Sequence, residues 1–161
     1  MKIKGQKITA CNVFTVVIPK ADNEYVFQVG PANMDNFELL CPRPEAPTKI
    51  VPGSSTPITD VNNKDYKLKI DEYAEKRMAY MFVSSLSHTE ELEFDSVDMS
   101  DSDTWKNYTD ELKEAGFTDG EIVHLLHKVI SANGLNNSII DKATDDFLAL
   151  KRQQELETAN T

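Results

Sequence analysis

The segment DYKLKIDEYAEKRMAYMFVSSL, residues 65–86, has the most regular hydrophobic pattern in the chain. Its larger side chains recur every three or four positions, which places them on one face of an α-helix. They are Tyr66, Ile70, Tyr73, Arg77 and Met81, and the stripe is widened by Met78, Phe82 and Leu86. We predict one long helix over residues 65–86, with its aromatic and methionine side chains in the core.

A second helix is predicted after a short connector. Residues 92–97 alternate in polarity beside many acidic residues, which favours an extended connector over a sheet strand. Acidic residues near 100–103 suit the first turn of a helix, because the helix dipole favours negative charge there. Gly116 suits a left-handed cap at the end of this helix.

The next helix has a well-marked start. Thr118 and Glu121 have the spacing of a capping box, and Phe117 precedes the cap, where it can pack on Ile122. We predict that this helix ends at residues 133–134. Leu135 and Asn136 repeat the start signal, so a last helix is predicted to run to residue 150.

The N-terminal part is rich in β-branched residues. Residues 8–18 and 24–29 flank a short polar segment, PKADN, and this pattern predicts a β-hairpin. Because an isolated hairpin is only marginally stable in water, it must pack on a further strand, on the helices or on a second copy.

A proline-rich segment separates the β and helical parts. Five of the seven prolines lie between residues 42 and 57, and proline favours extended backbone. A simple flexible linker would not need the apolar residues that flank them, which are Phe37, Leu39, Leu40, Ile50 and Val51. We predict an arm that lies on a neighbouring subunit or on the helical part of its own chain.

Together these segments predict an α+β protein in four parts. Residues 1–36 form a β-rich N-terminal part with a hairpin or small sheet, and residues 37–64 form a proline-rich extended arm. Residues 65–151 form a mostly helical bundle of about four helices, and residues 152–161 form a flexible tail.

The charge distribution argues against nucleic acid as a partner. The net charge is −10, and residues 88–121 hold twelve acidic side chains against two lysines. Binding to phosphates needs lysine and arginine, whereas an acidic surface suits a basic protein partner or simple solubility. No apolar run approaches the length of a membrane span, and we recognise no signal peptide. We therefore expect a cytosolic protein that does not bind membranes.

No motif predicts catalysis, a metal site or a cofactor. His124 and His127 are three residues apart on one predicted helix, but a zinc site needs two further ligands. The acidic run from Asp101 fails the EF-hand pattern, because Trp105 and Leu112 occupy two of its ligand positions. The sequence also lacks nucleotide-binding and nucleophile signatures. We expect a protein that is not an enzyme.

Several short motifs resemble small bacteriophage proteins of the tail assembly chaperone type. They are FELLCP at 37–42, the pattern YxxxRxxYM at 73–81, AGFT at 115–118 and ANGL at 132–135. The resemblance spans about residues 37–150. It implies a non-enzymatic protein that coats the tape-measure protein, prevents its aggregation and recruits tail-tube subunits. Some chaperones of this type also have a longer form made by ribosomal frameshifting.

Under this interpretation, an apolar helical surface and the arm contact phage structural proteins in the host cytoplasm, and copies of the chain associate with each other. The candidate partner-binding residues are Tyr73, Tyr80, Met81, Leu125, Ile130, Pro42, Pro44 and Pro47. Two alternatives stay open. One is a structural virion protein, such as a tail-completion, adaptor or decoration subunit. The other is an acidic inhibitor of a host protein.

Overall fold

The computed structural model describes residues 2–3, 6–7, 13–21, 23–53, 55–134, 141–142, 144–146 and 148, and within these residues the fold is α+β, as predicted. Three antiparallel strand pairs are present: β1 (Lys2–Ile3) with β2 (Gln6–Lys7), β3 (Phe14–Lys20) with β4 (Asn23–Val29), and β5 (Thr48–Lys49) with β6 (Ile58–Thr59). The α-helices are α1 (Phe37–Leu40), α2 (Lys64–Leu86), α3 (Tyr108–Glu114) and α4 (Asp119–Ala132), and a 3-10 helix (Trp105–Asn107) precedes α3.

The β3–β4 hairpin packs one face on the helices. Its buried residues are Val16, Ile18, Phe27 and Val29. They share a core cluster with residues of α2, α3 and α4, so the helices supply the packing that an isolated hairpin lacks. The turn is tighter than the predicted polar segment, because Lys20 already pairs with Asn23. Residues 8–12 of the predicted first strand lie outside the described residues.

Helix α2 confirms the long helix predicted over residues 65–86. Asn63 caps its start, because its side-chain oxygen accepts a hydrogen bond from the Tyr66 backbone N–H at 3.0 Å. Residues 64–78 are exposed or half-buried, whereas residues 79–86 are all buried where β4, the 3-10 helix and α4 meet the helix. Phe82 and Leu86 are fully buried, and each contributes roughly 1.5–3 kcal/mol from burial.

Asn133, predicted only as the end of a helix, joins three segments of the core. Its side-chain oxygen accepts a hydrogen bond from the Ala32 N–H at 2.9 Å, after β4. Its side-chain nitrogen donates to the buried Ser85 hydroxyl on α2 at 2.9 Å and to the Val129 carbonyl on α4 at 2.8 Å. Without these hydrogen bonds, the polar groups would be buried without partners, which would lower the stability of the fold.

The start of α4 confirms the predicted capping box. The Glu121 N–H donates to the Thr118 hydroxyl at 3.3 Å, and the Thr118 N–H donates to the Glu121 carboxylate at 2.7 Å. Gly116 has a φ of +89°, as a left-handed cap requires. The Lys20 ammonium donates to both the Glu121 carboxylate and the Gly116 carbonyl at 2.6 Å, which joins the hairpin to α4. This lysine, with help from Thr118, lowers the pKa of Glu121 to about 2.

Other predicted boundaries need correction. The helix expected near residues 100–103 begins later, at the 3-10 helix from Trp105, because Thr104 closes a turn by donating to the Asp98 carbonyl at 3.0 Å. The segment 92–97 contains no strand, which agrees with the predicted connector.

Only part of the predicted C-terminal region can be compared with the structure. Residues 141–142, 144–146 and 148 are helical, in agreement with the last predicted helix. The predicted start of that helix at 135–140, its end at 149–150 and the tail at 152–161 lie outside the described residues. In the described part of the chain, none of the helices combines the length and the apolar character that crossing a membrane requires.

Candidate protein-binding surface

An aromatic cluster anchors α1 to the side of α2. Phe37 is 1% exposed, and its ring centroid lies 5.5 Å from those of Tyr73 and Tyr80 and 5.7 Å from that of Trp105. The Trp105 indole N–H donates to the Asp98 carbonyl at 3.1 Å, so its polar group is satisfied. Aromatic pairs at such distances stabilise beyond their burial alone. The cluster therefore fixes the point from which the proline-rich segment leaves the body.

Two polar contacts reinforce this anchor. The Tyr73 hydroxyl donates to the Glu38 carboxylate at 2.6 Å, and this hydrogen bond raises the pKa of the Tyr73 phenol. Cys41, which follows α1, is buried, and desolvation raises the pKa of its thiol. The Cys41 N–H donates to the Phe37 carbonyl at 2.8 Å, so α1 ends against the body.

The described residues of 42–61, which follow Cys41, are mostly exposed, and we call this segment the projecting arm. Within the predicted proline-rich extended arm, Thr48–Lys49 and Ile58–Thr59 pair as a small antiparallel hairpin, a pairing that was not predicted. Its base is closed by the Asp60 N–H, which donates to the Pro47 carbonyl at 2.6 Å, and by an ion pair at 2.9 Å between Lys49 and Asp60. Both of these contacts lie within the arm itself.

The projecting arm presents apolar side chains to solvent. Its exposed apolar residues are Ile50, Val51, Ile58 and Val61, and Ile50 is 69% exposed. Two leucines on the helices that flank the arm are also exposed: Leu39 on α1 is 82% exposed and Leu68 on α2 is 68% exposed. A single exposed apolar residue is ordinary, but several in one segment are typical of a surface that binds another protein.

The candidate partner-binding residues fall into two groups. Tyr80, Met81 and Leu125 are buried, so they are core residues in this conformation and offer no surface to a partner. Tyr73, Ile130 and Pro44 are half-buried, and Pro42 and Pro47 are exposed. Helical spacing selected the first group because it identifies the face turned towards the core. The structure brings Tyr73 and Tyr80 together around Phe37, whereas Met81 and Leu125 belong to a different core cluster.

Sequence reasoning did not single out Ile58, Val61 or Leu68 for contact with a partner. The signals available were the proline directly before Ile58 and the polar residues on either side of Val61 and Leu68. The outer face of the β3–β4 hairpin was also missed. There Val17 lies opposite Val26, and both side chains are about half exposed.

The acidic side chains of residues 88–121 are distributed between structural roles and solvent. Six of them hold nearby groups through hydrogen bonds or ion pairs: Asp98, Asp101, Asp103, Glu111, Asp119 and Glu121. Lys76 on α2 pairs with Asp103 at 2.6 Å, which raises the pKa of the lysine and fixes the turn before the 3-10 helix. The acidic run is therefore partly a set of internal contacts.

The described residues contain no group of three or more histidine, cysteine, aspartate or glutamate side chains placed to hold a metal ion. His88 contacts the Pro31 carbonyl through Nε2 at 3.1 Å. No protein-family model, curated protein or solved structure matches the chain.

Proposed function

We propose that this chain is a non-enzymatic assembly protein of the tail assembly chaperone type, which binds phage structural proteins through its projecting arm and adjoining apolar residues. The observation that carries the proposal is the exposed apolar set on the arm, led by Ile50, Ile58 and Val61. Apolar surface gains about 25 cal/mol for each Å² removed from water, and this chain leaves that surface uncovered in the described structure.

The architecture of the arm supports binding to a partner subunit. Strands of two residues form a hairpin that is only marginally stable alone, so a partner that covers it stabilises it. The aromatic cluster holds α1, from which the arm starts, on the body, and the Lys49–Asp60 pair closes the base of the hairpin within the arm. The arm can therefore reach a neighbour while the helical core stays folded.

The resemblance supplies the kind of partner. The tape-measure protein, the tail-tube subunit and further copies of this chain are the proposed partners, and the host cytoplasm is the proposed location. The acidic surface suits basic segments of such partners. The inhibitor alternative is less supported, because half of the acidic side chains in residues 88–121 already hold neighbouring groups of the chain.

A specific observation favours a structural virion subunit as the second candidate. The exposed Val17–Val26 pair lies on the outer face of a two-stranded sheet, and another sheet of a particle can pack on such a face. Mass spectrometry of purified particles and of infected-cell lysate separates the two functions. Abundance in lysate with absence from particles supports the chaperone, whereas a fixed integer copy number in particles contradicts it and supports the virion subunit.

The role of the arm is tested with matched variants co-expressed with the tape-measure protein. Ile50→Ser combined with Ile58→Ser removes apolar surface from the arm. Val123→Ser, at a similarly exposed position on α4, is the control. We expect the arm variant to leave less tape-measure protein soluble, while the control matches the unmodified chain. Equal solubility with both variants would contradict a role for the arm.

A further inference from the structure

The outer edge of β4 is closed at one end and open at the other. The Gln28 N–H donates to the Thr89 hydroxyl oxygen at 2.8 Å, and the same hydroxyl lies 3.1 Å from the Gln28 carbonyl. The next outward group, the Gly30 N–H, donates to the Ser85 carbonyl at 3.1 Å. Thr89 and the end of α2 therefore occupy the places that a third strand would take at this end.

Towards the turn, the same edge has no cover from the described residues. Backbone groups of a strand alternate in direction, so Val26 and Glu24 direct their N–H and C=O groups to the same side as Gln28. No hydrogen bond from the described residues reaches these groups. Pro19, which pairs with Glu24, lacks an N–H at an outward-facing position, so the opposite edge is a poorer template for a further strand.

A groove of about 440 Å³ lies beside the open edge. Phe27, Leu112 and Phe117 form its buried apolar base, and the segment 89–94 forms one wall. Tyr25 packs its ring edge against Phe117 with the ring centroids 5.7 Å apart. The groove is thus wide enough for a large apolar side chain and lies directly beside unpaired strand backbone.

Contacts within the chain hold the wall of the groove in place without a ligand. The Glu111 carboxylate accepts hydrogen bonds from the Asp95 and Ser96 backbone N–H groups, which fixes the end of the wall to α3. Glu91 has a φ of +59°, a conformation that non-glycine residues seldom adopt and that surrounding contacts must hold. At the other end of the wall, the Thr89 hydroxyl accepts a hydrogen bond from the Gln28 N–H, which fixes that end to β4.

The rim of the groove is acidic and unneutralised. Glu90, Glu91 and Glu93 are exposed, and none of them makes an ion pair with another described residue. Their carboxylates differ from that of Glu111, which the wall uses internally. An occupant that places cations at this rim would be complementary in charge to the groove, whereas an acidic segment would be repelled.

We propose that this groove binds an extended, basic and apolar segment of a partner polypeptide, which adds as a third strand to the open edge of β4. The ligand backbone pairs with Val26 and Glu24, and one apolar side chain enters the groove over Phe117. Side chains two positions apart share a face of a strand, so lysine or arginine two residues from that apolar side chain meets the glutamate rim. This site is separate from the projecting arm and does not depend on its function.

The test uses a synthetic probe, an acetylated and amidated seven-residue peptide with leucine at its centre, lysine two positions to either side and threonine elsewhere, so that the leucine and both lysines share one face of the strand. A second peptide has the same sequence with alternate backbone nitrogens methylated, which prevents strand pairing. A third has glutamate in place of lysine. Binding to the full chain is measured by calorimetry, and backbone hydrogen exchange is followed by NMR at Val26 and Glu24.

We expect the first peptide to bind and to protect the Val26 and Glu24 amides, and we expect the other two peptides to bind much more weakly. The combined change of Glu90, Glu91 and Glu93 to glutamine should weaken binding by about tenfold, because the charge pairs between the peptide and the rim are lost. The matched control changes three exposed acidic residues elsewhere to the neutral amide: Glu45, Asp71 and Asp146. It should alter binding less than about twofold.

Several outcomes overturn the proposal. Absence of binding at millimolar peptide, or binding without protection of Val26 and Glu24, shows that the edge does not accept a strand. Equal weakening by the rim and control variants shows that the peptide responds only to net charge. Protection in the free protein that falls on dilution shows that a second copy occupies the edge instead.

Discussion

Replacing Phe37 with alanine tests whether the aromatic cluster anchors the arm to the body. Its ring is 1% exposed and packs against Tyr73, Tyr80 and the fully buried Trp105. Removing a buried phenylalanine side chain costs about 3–5 kcal/mol, and the cost is lower where the site can close around the cavity. Because α1 is a single turn on the outside of α2, we expect a loss of about 3 kcal/mol in the free energy of unfolding.

Urea unfolding followed by circular dichroism and by fluorescence measures this loss, because Trp105 is the one tryptophan of the chain. Its emission should shift to longer wavelength in Phe37→Ala as water enters the cluster. Leu39→Ala, on the same helical turn but 82% exposed, is the control and should change stability by less than about 0.5 kcal/mol. A loss in Phe37→Ala no larger than in this control, with unchanged emission, would refute the anchor.

Three further predictions concern the contacts that hold the body together. In the folded chain, Lys20 helps to lower the pKa of Glu121 from 4.5 to about 2. The ionised carboxylate therefore stabilises the fold above pH 4.5, and this stabilisation is lost as the pH falls through about 2. Lys20→Met should reduce the acid sensitivity of the melting temperature between these two pH values. Asn133→Ala should lower the free energy of unfolding by about 2–3 kcal/mol in urea titrations, whereas Ser131→Ala, which loses one hydrogen bond within α4, should lower it by less than about 1 kcal/mol. Gly116→Ala should cost about 1 kcal/mol in the same titrations, because alanine is strained at a φ of +89°, and an unchanged stability would show that the turn can rearrange.

Local signals predicted much of the helical fold. Thr118 caps α4 through side-chain hydrogen bonds within a few residues, and Gly116 allows a backbone conformation that few other residues adopt. These effects depend on residues that are close in sequence, so they can be predicted from the sequence alone. The 3-10 helix at Trp105 was missed because its start depends on Thr104 and on packing against α2, which is a tertiary effect.

The candidate surface was harder to predict than the fold. Periodicity identified Met81 and Leu125, which belong to the core, because an apolar stripe and an apolar binding face have the same pattern in sequence. The same periodicity did not reveal that residues 79–86 are buried on every side. That burial comes from β4, the 3-10 helix and α4, which lie outside the helix in sequence. The flanking apolar residues Ile50 and Val51 were the informative signal for the arm.

The two surfaces differ in how much order a partner must impose. The wall beside β4 is already held by Thr89 and Glu111, so a strand that binds there loses mainly its own conformational entropy. The projecting arm has two short strands and a base closed by Lys49 and Asp60, so binding must also stabilise the arm itself. Binding through the arm should therefore have the larger unfavourable entropy for the same apolar area buried, and the groove should have the faster association. Under the proposed assembly function, the preformed groove would bind a basic segment first, and the arm would then bind the partner held nearby.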